Sequence, residues 1–366
     1  AHLVIDGIVG IGGRGGLRPA AAALVRRAGA GGAAMVAVDV PSGVDADTGE
    51  VTGEAVKAGL TVTFGAYKPG LLVNPGRSRA GVLRLVDIGL GPLLTGVPEL
   101  TAPQHADIAA LLPRPGNETT KYRRGVVGVA AGSARYPGAA VLAVAGALRG
   151  GAGAVRFSGS AADAVVTRFP ETLVSAGPPS AAGRVQAWVV GPGAGDDRDA
   201  RRIVDDVLDA DVPVLVDADG LRLLDARRVR DRRAPTLLTP HAGEAAALLS
   251  TDRETVEARR LSSVRELAHR FGATALLKGS TTLIAHPEQP SPVRVNPTGT
   301  ARLATAGSGD VLSGLTGSLM AAGLDTGAAA TVGAYLHGLA ARLAPVPVTA
   351  GDVAEALPAA WREVIG

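Results

Sequence analysis

Short apolar runs alternate with amphipathic stretches in the first quarter of the chain. Strand-like runs lie at residues 2–5, 35–40, 60–64 and 82–86, and a helical stretch lies at 19–28. Strands that alternate with helices are typical of a βα layer with a mostly parallel sheet. The pattern predicts about half of a Rossmann-like domain.

A second and longer α/β pattern follows a stretch rich in proline, glycine and threonine at residues 88–124. It predicts strands at 126–131, 187–190, 214–217, 236–238 and 275–277, and helices at 139–149, 254–271, 310–322, 326–343 and 352–364. A chain of 366 residues is too long for one ordinary hydrophobic core. We therefore predict two α/β domains, 1–98 and 99–366.

Composition narrows the classes of function. Cysteine is absent, which excludes disulfides, thiolate catalysis and cysteine-ligated metals, so any metal must bind oxygen or imidazole. No apolar run is long enough to span a membrane, and the first residues do not resemble a signal peptide. The arginines at 222–233 alternate with Asp225 and Asp231, which favours a solvated helix face over a nucleic-acid stripe. We expect a cytoplasmic protein that binds neither membrane nor nucleic acid.

The strongest local signal is a turn of small residues at 304–310, followed by an apolar-periodic helix. Glycines before a helix leave backbone N–H groups free to converge on an anion, which the helix dipole also favours. Asp310 falls in the first helical turn. By itself it fits an ordinary N-terminal acid equally well.

Four more polar segments follow predicted strands, at 190–195, 216–219, 238–241 and 277–282. Open α/β sheets bind ligands at the carboxyl ends of their strands. A role in folding alone could explain each segment separately. It would not explain why all four lie at the same edge of the predicted sheet. Lys278 is one of only four lysines in the chain, which draws attention to the last segment. Asp217 and Asp219 fit either a helix cap or a metal or substrate contact.

These motifs together resemble a known family. The residues are Tyr136-Pro137-Gly138-Ala139-Ala140, the loop 191–195, Asp217-Ala218-Asp219-Gly220-Leu221, Thr239-Pro240-His241, Lys278-Gly279 and the turn 304–310. In this order, over about residues 124–342, they are similar to the carbohydrate kinase-like NAD(P)H-hydrate dehydratases of the ribokinase-like superfamily. The resemblance implies a ribokinase-like α/β domain that repairs hydrated NADH and NADPH.

The resemblance also implies site residues and cofactors. It implies that ADP or ATP binds at Lys278, Gly279, Ser280, Thr281, Thr282, Gly307, Ser308 and Gly309. It implies that hydrated NAD(P)H, the small-molecule partner, binds at Ala139, Ala140, Gly191, His241 and Asp310. In the implied reaction Asp310 is the catalytic base, and Mg²⁺ helps to hold the phosphates.

Two segments of the first domain place an acid at a strand end before a turn. By pattern alone, Asp6 with the turn 10–16 and Asp39 with the turn 41–49 read as ordinary βα connections. Together with 63–70 and 87–89 they resemble the NAD(P)H-hydrate epimerases. This resemblance implies that Asp6 is a catalytic acid/base and, with Ser42, binds K⁺. It implies substrate binding by Gly10, Ile11, Gly12, Gly13, Arg14, Gly15, Gly16 and Asp39.

An earlier loop of that family is missing from this sequence. Epimerases have a loop of the Asn-Asn-Gly-Gly-Asp-Gly type that completes the potassium and substrate sites, and no such stretch occurs here. We therefore expect the epimerase half to be either incomplete in this chain or vestigial, and the start at Ala1, which is typical of a fragment, favours the first alternative.

Other functions remain open at this point. A small-molecule kinase of the same superfamily would use the same Gly-Ser-Gly-Asp turn and would release a stable phosphorylated product. A non-catalytic adenine-nucleotide sensor would bind nucleotide without turnover, but it would have no need of a base such as Asp310. We also expect a homo-oligomer.

Overall fold

The chain folds into two compact units in a computed structural model that describes residues 1–114, 116–288 and 290–366. The first unit contains Ala1–Thr101, Thr251–Ser263 and Pro290–Val295, and the second contains Ala102–Ser250, Val264–Gln289 and Asn296–Gly366. No sequence pattern predicts that the two later segments group with the first unit. The domain limits 1–98 and 99–366 stay a prediction.

Strands and helices alternate along most of the chain. In chain order, the elements up to residue 124 are β1 (Leu3–Asp6), α1 (Pro19–Ala30), β2 (Ala34–Val38), β3 (Leu60–Phe64), α2 (Arg77–Ala80), β4 (Val82–Val86), β5 (Leu100–Thr101), α3 (His105–Leu111) and α4 (Lys121–Arg124). The next are β6 (Val126–Ala130), α5 (Pro137–Arg149), β7 (Ala154–Ser158), α6 (Ala162–Arg168), β8 (Leu173–Ser175), β9 (Ala187–Val190), α7 (Arg198–Leu208), β10 (Val214–Val216), α8 (Asp219–Arg222), α9 (Ala226–Arg230) and β11 (Thr236–Leu238). The last are α10 (Ala242–Leu249), α11 (Arg253–Ala258), α12 (Arg260–Phe271), β12 (Thr274–Leu277), β13 (Leu283–Ala285), β14 (Val293–Val295), α13 (Ser308–Ala321), α14 (Thr326–Leu343) and α15 (Ala350–Ile365). Short 3₁₀ helices lie at Pro69–Leu71, Gly91–Leu93, Pro179–Ala181 and Ala301–Leu303.

The first unit contains a four-stranded parallel sheet in the order β1-β2-β3-β4. A small apolar cluster that includes Val25 of α1 and Ala37 of β2 covers part of one face. On the other face Leu3, Ile5 and Val82 are 53%, 66% and 67% exposed. Parallel sheets normally bury both faces, so this apolar face is unusual.

The sheet of the second unit places the predicted polar segments along one edge. Eight of its strands are ordered β13-β12-β11-β10-β9-β6-β7-β8, and all neighbours are parallel except β12 and β13. Val216 pairs with both Val190 and Leu238. The carboxyl ends of β9, β10 and β11 are therefore level. A large apolar core that includes residues of α5, α13, α14 and α15 packs together with residues of this sheet.

The predicted α/β class is confirmed, and one predicted helix is wrong. Residues 254–271 form two helices, because Arg259 leaves the helical region with φ −122° and ψ 48° between α11 and α12. Its side chain lies 3.7 Å from the Glu50 carboxylate. The helical periodicity of the sequence continues through this break and does not reveal it. Among the described residues, no helix combines the length and hydropathy needed to cross a membrane.

Candidate active site

The turn at 304–310 forms the amino end of α13. Gly307 is the N-cap and has a left-handed backbone (φ 86°) that favours glycine. The Ser308 hydroxyl donates to the carbonyl of Leu303 at 2.8 Å, so it stabilises the turn. The helix therefore begins with backbone N–H groups at its positive dipole end, as an anion site requires.

Asp310 lies in this first turn in a setting that changes its acidity. Burial, reinforced by the Asp217 carboxylate, raises the pKa of the Asp310 carboxyl to about 7, although Lys278 acts to lower it. Asp219 and Glu244 contribute smaller upward shifts. A carboxylate with a pKa near 7 is well suited to accept a proton at neutral pH.

An ion-pair network lies beside this turn and joins two strand ends to α13. The Lys278 ammonium, after β12, donates to the buried carboxylate of Asp217, after β10, at 2.7 Å. The other Asp217 oxygen accepts from the Ser313 hydroxyl at 2.6 Å. Burial alone would lower the pKa of Lys278, but Asp217 and Glu244 more than offset this, so that pKa is raised. Lys278 stays a cation beside the anion site.

Neither Asp217 nor Asp219 caps the helix that follows them, α8. Helix α8 begins after Ala218, and no side chain caps it. Asp219 instead accepts a hydrogen bond from the Gly195 backbone at 2.9 Å. Of the two interpretations left open from the sequence, capping of α8 is therefore not observed for Asp217 or Asp219.

A cleft of about 550 Å³ opens at this edge of the sheet. Its lining includes Asp310, Gly307 and Asp219 from the network side, and Ala139 and Tyr136 from the start of α5. The neighbouring Ala140 is fully buried in the core. Of the two alanines predicted to bind substrate, Ala139 is the one with access to the cleft.

His241 and Gly191 lie at two other strand ends of the same edge. The imidazole Nδ1 of His241 accepts from the backbone N–H groups of Gly243 and Glu244 and so caps α10. The side chain is 60% exposed. Gly191 packs its backbone against the carbonyl of Asp217, where a side chain would clash. The other ring nitrogen of His241, Nε2, lies 3.3 Å from the Glu244 carboxylate.

The predicted nucleotide-binding segment after β12 forms an exposed loop with one anchored end. Gly279 and Ser280 are exposed, and Thr281 is partly exposed. Thr282 is buried, and its hydroxyl donates to the Gly279 carbonyl at 3.2 Å. Near its start, the Lys278 ammonium would be 3.4 Å from a methyl group added at Gly309. The loop and the α13 turn therefore meet at Lys278 and Gly309.

Sequence reasoning missed Glu244 and Ser313 as members of the network. Glu244 lies 3.8 Å from the Lys278 ammonium and accepts from the His241 backbone at 2.7 Å. The signal for Glu244 was present, since an acid three residues after an N-cap is typical of a capping box. Ser313 carried no signal, because a serine inside a helix has no distinctive pattern.

A buried histidine lies behind the turn. His337 of α14 is 5% exposed, and its Nε2 has no hydrogen-bond partner among the residues that the structure describes. Burial lowers the pKa of His337 to about 4. The ring is therefore neutral at pH 7 and adds no positive charge to that of Lys278.

The first unit brings Asp6 and Ser42 together. The Asp6 carboxylate is buried and accepts from the Ser42 hydroxyl at 2.6 Å and from the Ser42 backbone at 2.7 Å. The Ser42 hydroxyl in turn accepts from the Val9 backbone at 3.2 Å. Asp6, at the end of β1, and Ser42, in the loop after β2, thus place oxygens side by side, and their binding of K⁺ stays a prediction.

Asp39 lies near the turn 10–16 and is held by a lysine that the sequence did not single out for this role. The Lys68 ammonium donates to the Asp39 carboxylate at 2.5 Å and also to the Thr63 hydroxyl and the Phe64 carbonyl, both at 2.9 Å. The other Asp39 oxygen would be 3.3 Å from a methyl group added at Gly10. Asp39 is therefore fixed facing that turn.

The rest of the turn 10–16 is mostly open. Gly13 donates to the Gly10 carbonyl at 2.9 Å and closes its first half. Ile11, Gly12, Arg14, Gly15 and Gly16 are exposed. Arg14 has a single exposed contact, with Asp47 at 4.0 Å. Of the turn 10–16, only Gly10 is shown close to Asp39.

Solved structures define the class of the second unit. The ADP/ATP-dependent NAD(P)H-hydrate dehydratase of Bacillus subtilis, co-crystallised with ATP and Mg²⁺, matches 71% of this chain and 97% of its own, with a TM-score of 0.65 and 29% identity. A hydroxyethylthiazole kinase of Pyrococcus horikoshii shares the fold at 15% identity and a TM-score of 0.50. The ribokinase-like α/β class predicted from the sequence is confirmed.

Sequence relatives identify the family. The model described as NAD(P)H-hydrate dehydratase matches residues 127–359, and the model described as YjeF-related protein N-terminus matches residues 1–70. The bifunctional NAD(P)H-hydrate repair enzyme of Mycobacterium leprae is 50% identical over 353 residues, 96% of this chain and 72% of that protein. The Moorella thermoacetica enzyme of the same name is 36% identical over 397 residues, all of this chain and 73% of that protein. The chain belongs to the family of bifunctional NAD(P)H-hydrate repair enzymes.

Proposed function

We propose that the second unit dehydrates the S form of hydrated NADH and NADPH at the expense of ADP or ATP, with Asp310 as the base. The observation that carries the proposal is the Asp310 carboxyl, whose pKa is raised to about 7 at the start of α13. It lines a cleft beside an anion-binding turn and a lysine. Family membership supports the substrate.

The chemistry follows from the poor leaving group in the substrate. Hydroxide departs slowly from C6 of the hydrated ring at neutral pH, whereas phosphate departs readily. Asp310 accepts the C6 hydroxyl proton as that oxygen bonds to the terminal phosphorus and the bond from phosphorus to the nucleotide breaks. Phosphate then leaves C6 with the bonding electrons, and loss of a ring proton from C5 restores NAD(P)H.

The chain's own groups supply alignment and charge. We expect the backbone N–H groups of 307–309 and the Lys278 ammonium to contact the phosphates, where both would stabilise charge as it moves during transfer. Asp217 holds Lys278 in place at 2.7 Å. The reaction needs no nucleophilic side chain from the protein, because the hydroxyl of the substrate is the attacking group.

Magnesium fits the donor set of this edge. Among the described residues, no cluster of three or more acids or histidines could hold a metal by itself. Mg²⁺ is usually bound by one or two carboxylates together with substrate phosphates. Asp219, whose carboxylate lines the cleft together with Asp310, would hold it. Bound there, the ion would neutralise phosphate charge.

A coupled assay separates this function from that of a kinase. The chain is incubated with hydrated NADH and either ATP or ADP, while reduced-nicotinamide absorbance and free phosphate are followed together. We expect one phosphate released for each NADH recovered. A stable phosphorylated product without recovered NADH would identify a kinase. Tight nucleotide binding with neither product would identify a sensor.

We further propose that the first unit carries part of an NAD(P)H-hydrate epimerase site. The adjacent oxygens of Asp6 and Ser42 support a role in binding K⁺, with Asp6 also the acid/base. The turn 10–16 and Asp39 would hold the substrate. A potassium ion takes more oxygen ligands than these two side chains supply, which agrees with the absence of an Asn-Asn-Gly-Gly-Asp-Gly loop from the sequence.

Cellular location and assembly are also proposals. A cytoplasmic protein is expected because hydrated NADH and NADPH form where the reduced dinucleotides are used. A homo-oligomer stays a prediction from the sequence. Light scattering of the purified chain would give its mass in solution.

A further inference from the structure

The cleft that contains Asp310 has one aromatic wall. Aromatic residues make up only 3% of the chain, yet Tyr136 lies in the cleft lining together with Asp310 and Ala139. Its ring is about half exposed, at 45% for the residue. An exposed aromatic side chain in a cleft is available to pack on a flat ligand.

The backbone beneath this ring is firmly placed. Tyr136 is the N-cap of α5, and its carbonyl accepts from Ala139. Its amide donates to the Ser133 hydroxyl at 3.3 Å. On the other side, a methyl group added at Gly193 would lie 3.0 Å from the Tyr136 carbonyl and 3.1 Å from its Cβ. The ring therefore projects from a fixed base, although its hydroxyl has no partner among the described residues.

Arg135 supplies a cation next to this ring. Its guanidinium lies 5.1 Å from the centre of the Tyr136 ring and also belongs to the cleft lining. Within the described part of the chain it has no carboxylate within ion-pair distance. A guanidinium of this kind suits bidentate contact with a phosphate.

We infer that Tyr136 packs on the face of the reduced nicotinamide ring of the hydrate, and that Arg135 pairs with the pyrophosphate of the same molecule. The inference rests on the proposed function, because Asp310 must reach the C6 hydroxyl of that ring. The ring therefore lies in the cleft, where the flat wall available to it is Tyr136. Both residues are then determinants of hydrate specificity rather than of nucleotide binding.

The test measures KM for hydrated NADH and for ATP separately in the full chain. We expect Tyr136→Ala to raise KM for the hydrate about three- to tenfold and leave KM for ATP unchanged, as loss of one aromatic contact predicts. Tyr136→Phe keeps the ring and should match the parent. Tyr136→Leu keeps a large apolar side chain but has no aromatic face, so its KM for the hydrate should be raised as in the alanine variant. Because leucine fills the space that alanine leaves empty, this variant separates loss of the ring from a packing defect.

The chain offers a matched control in Lys121 and Tyr122. Tyr122 is 51% exposed and has the Lys121 ammonium 5.4 Å from its ring centre, but neither residue lines the cleft. Tyr122→Ala and Lys121→Ala should leave both KM values at the parent level. Arg135→Ala should raise KM for the hydrate, and KM of that variant should depend less on salt concentration than KM of the parent. Lys121→Ala should cause neither change.

The possible outcomes are distinguishable. If the parent dehydrates the hydrate but Tyr136→Ala and Tyr136→Leu bind it as the parent does, this inference is wrong and the proposed function stands. If those variants raise KM for ATP instead, the ring serves the nucleotide, and the inference is also wrong. If the parent does not dehydrate the hydrate, the proposed function itself fails.

Discussion

At the scale of single residues, the site depends on how carboxylates share one lysine. Asp217 is buried and already paired with Lys278, so the charge of that lysine is only partly available to Asp310. Burial then dominates at Asp310 and makes its ionised form less favourable. The same residue type next to it, Asp217, serves to position the lysine. We therefore expect the two aspartates to have different functions, because their surroundings differ.

The pKa of Asp310 sets the expected pH dependence. A base acts only when it is unprotonated, so kcat/KM for the hydrate should fall as pH decreases through about 7. Asp217→Asn removes a negative neighbour and frees Lys278, both of which lower the pKa of Asp310. The fall in kcat/KM should therefore move to lower pH in that variant.

A pH–rate series on the parent and two variants checks this. Asp225→Asn is the matched control, because Asp225 is an exposed cap of α9 outside the network. It should keep the parent profile. A parent profile that stays flat from pH 8 to pH 5.5 would contradict the assignment of the base.

Residue patterns predicted part of this site and could not predict the rest. Asp310, Lys278 and the glycines stood out because an anion-binding turn needs those residue types at fixed positions. The sequence could not show which of Ala139 and Ala140 reaches the cleft. Neighbouring residues of a helix face different directions, and two alanines give no sign of which one is buried. The pairings of Ser313 and Lys68 join residues far apart in sequence, so only the fold reveals them.

At the scale of elements, the position of α13 depends on close packing against α5. A methyl group added at Gly314 of α13 would overlap the carbonyl of Ala143 of α5, and one added at Gly146 would overlap the backbone of Val311. The two helix backbones therefore touch. This contact fixes the helix that carries Asp310 at its amino end.

Gly314→Ala should separate these helices. Overpacking of this kind typically costs about 1–3 kcal/mol of unfolding free energy, and displacement of α13 should also lower kcat. Urea unfolding and steady-state kinetics measure the two effects. Gly351→Ala on α15, where the nearest atom to an added methyl group is 3.8 Å away, is the control and should match the parent. Equal stability of both variants would contradict the packing account.

Element type was easier to predict than element boundaries. The strands at 60–64, 82–86, 187–190 and 236–238 and the helix at 326–343 match the structure residue for residue. The break at Arg259 was missed because the helical periodicity continues through it. Strand β7 and helix α7 were also missed. The short helix α9 lies within 222–233, where the alternation of arginine and aspartate indicated a solvated helix face.

At the scale of the whole molecule, the sheets of the two units differ in how far apolar residues cover them. The second unit has a sheet with a large apolar core. The sheet of the first unit leaves Leu3, Ile5 and Val82 exposed on one face. Its proposed site contains two strand-end segments, and the Asn-Asn-Gly-Gly-Asp-Gly loop expected as a third does not occur in this sequence. Small misplacement of reacting groups can reduce rates by about a hundredfold.

We therefore expect this chain to convert only the S form of hydrated NADH. Starting from a mixture of epimers, chromatography should show rapid loss of S in the presence of ATP. The R form should disappear no faster than it epimerises spontaneously. Rapid loss of both forms that potassium stimulates would show that the first unit is a competent epimerase without the third loop.

The function of Asp310 as the base is the central claim, and one substitution tests it most directly. Asp310→Asn keeps the size of the side chain and the start of α13 but cannot accept a proton. Loss of a general base typically costs about a hundred- to ten-thousandfold in rate. We predict a loss of dehydration in that range, measured by recovered NADH absorbance, while ATP binding in the same preparation stays within about twofold of the parent. Turnover within a few-fold of the parent would contradict the account, because Asp310 would then be only an acid at a helix terminus.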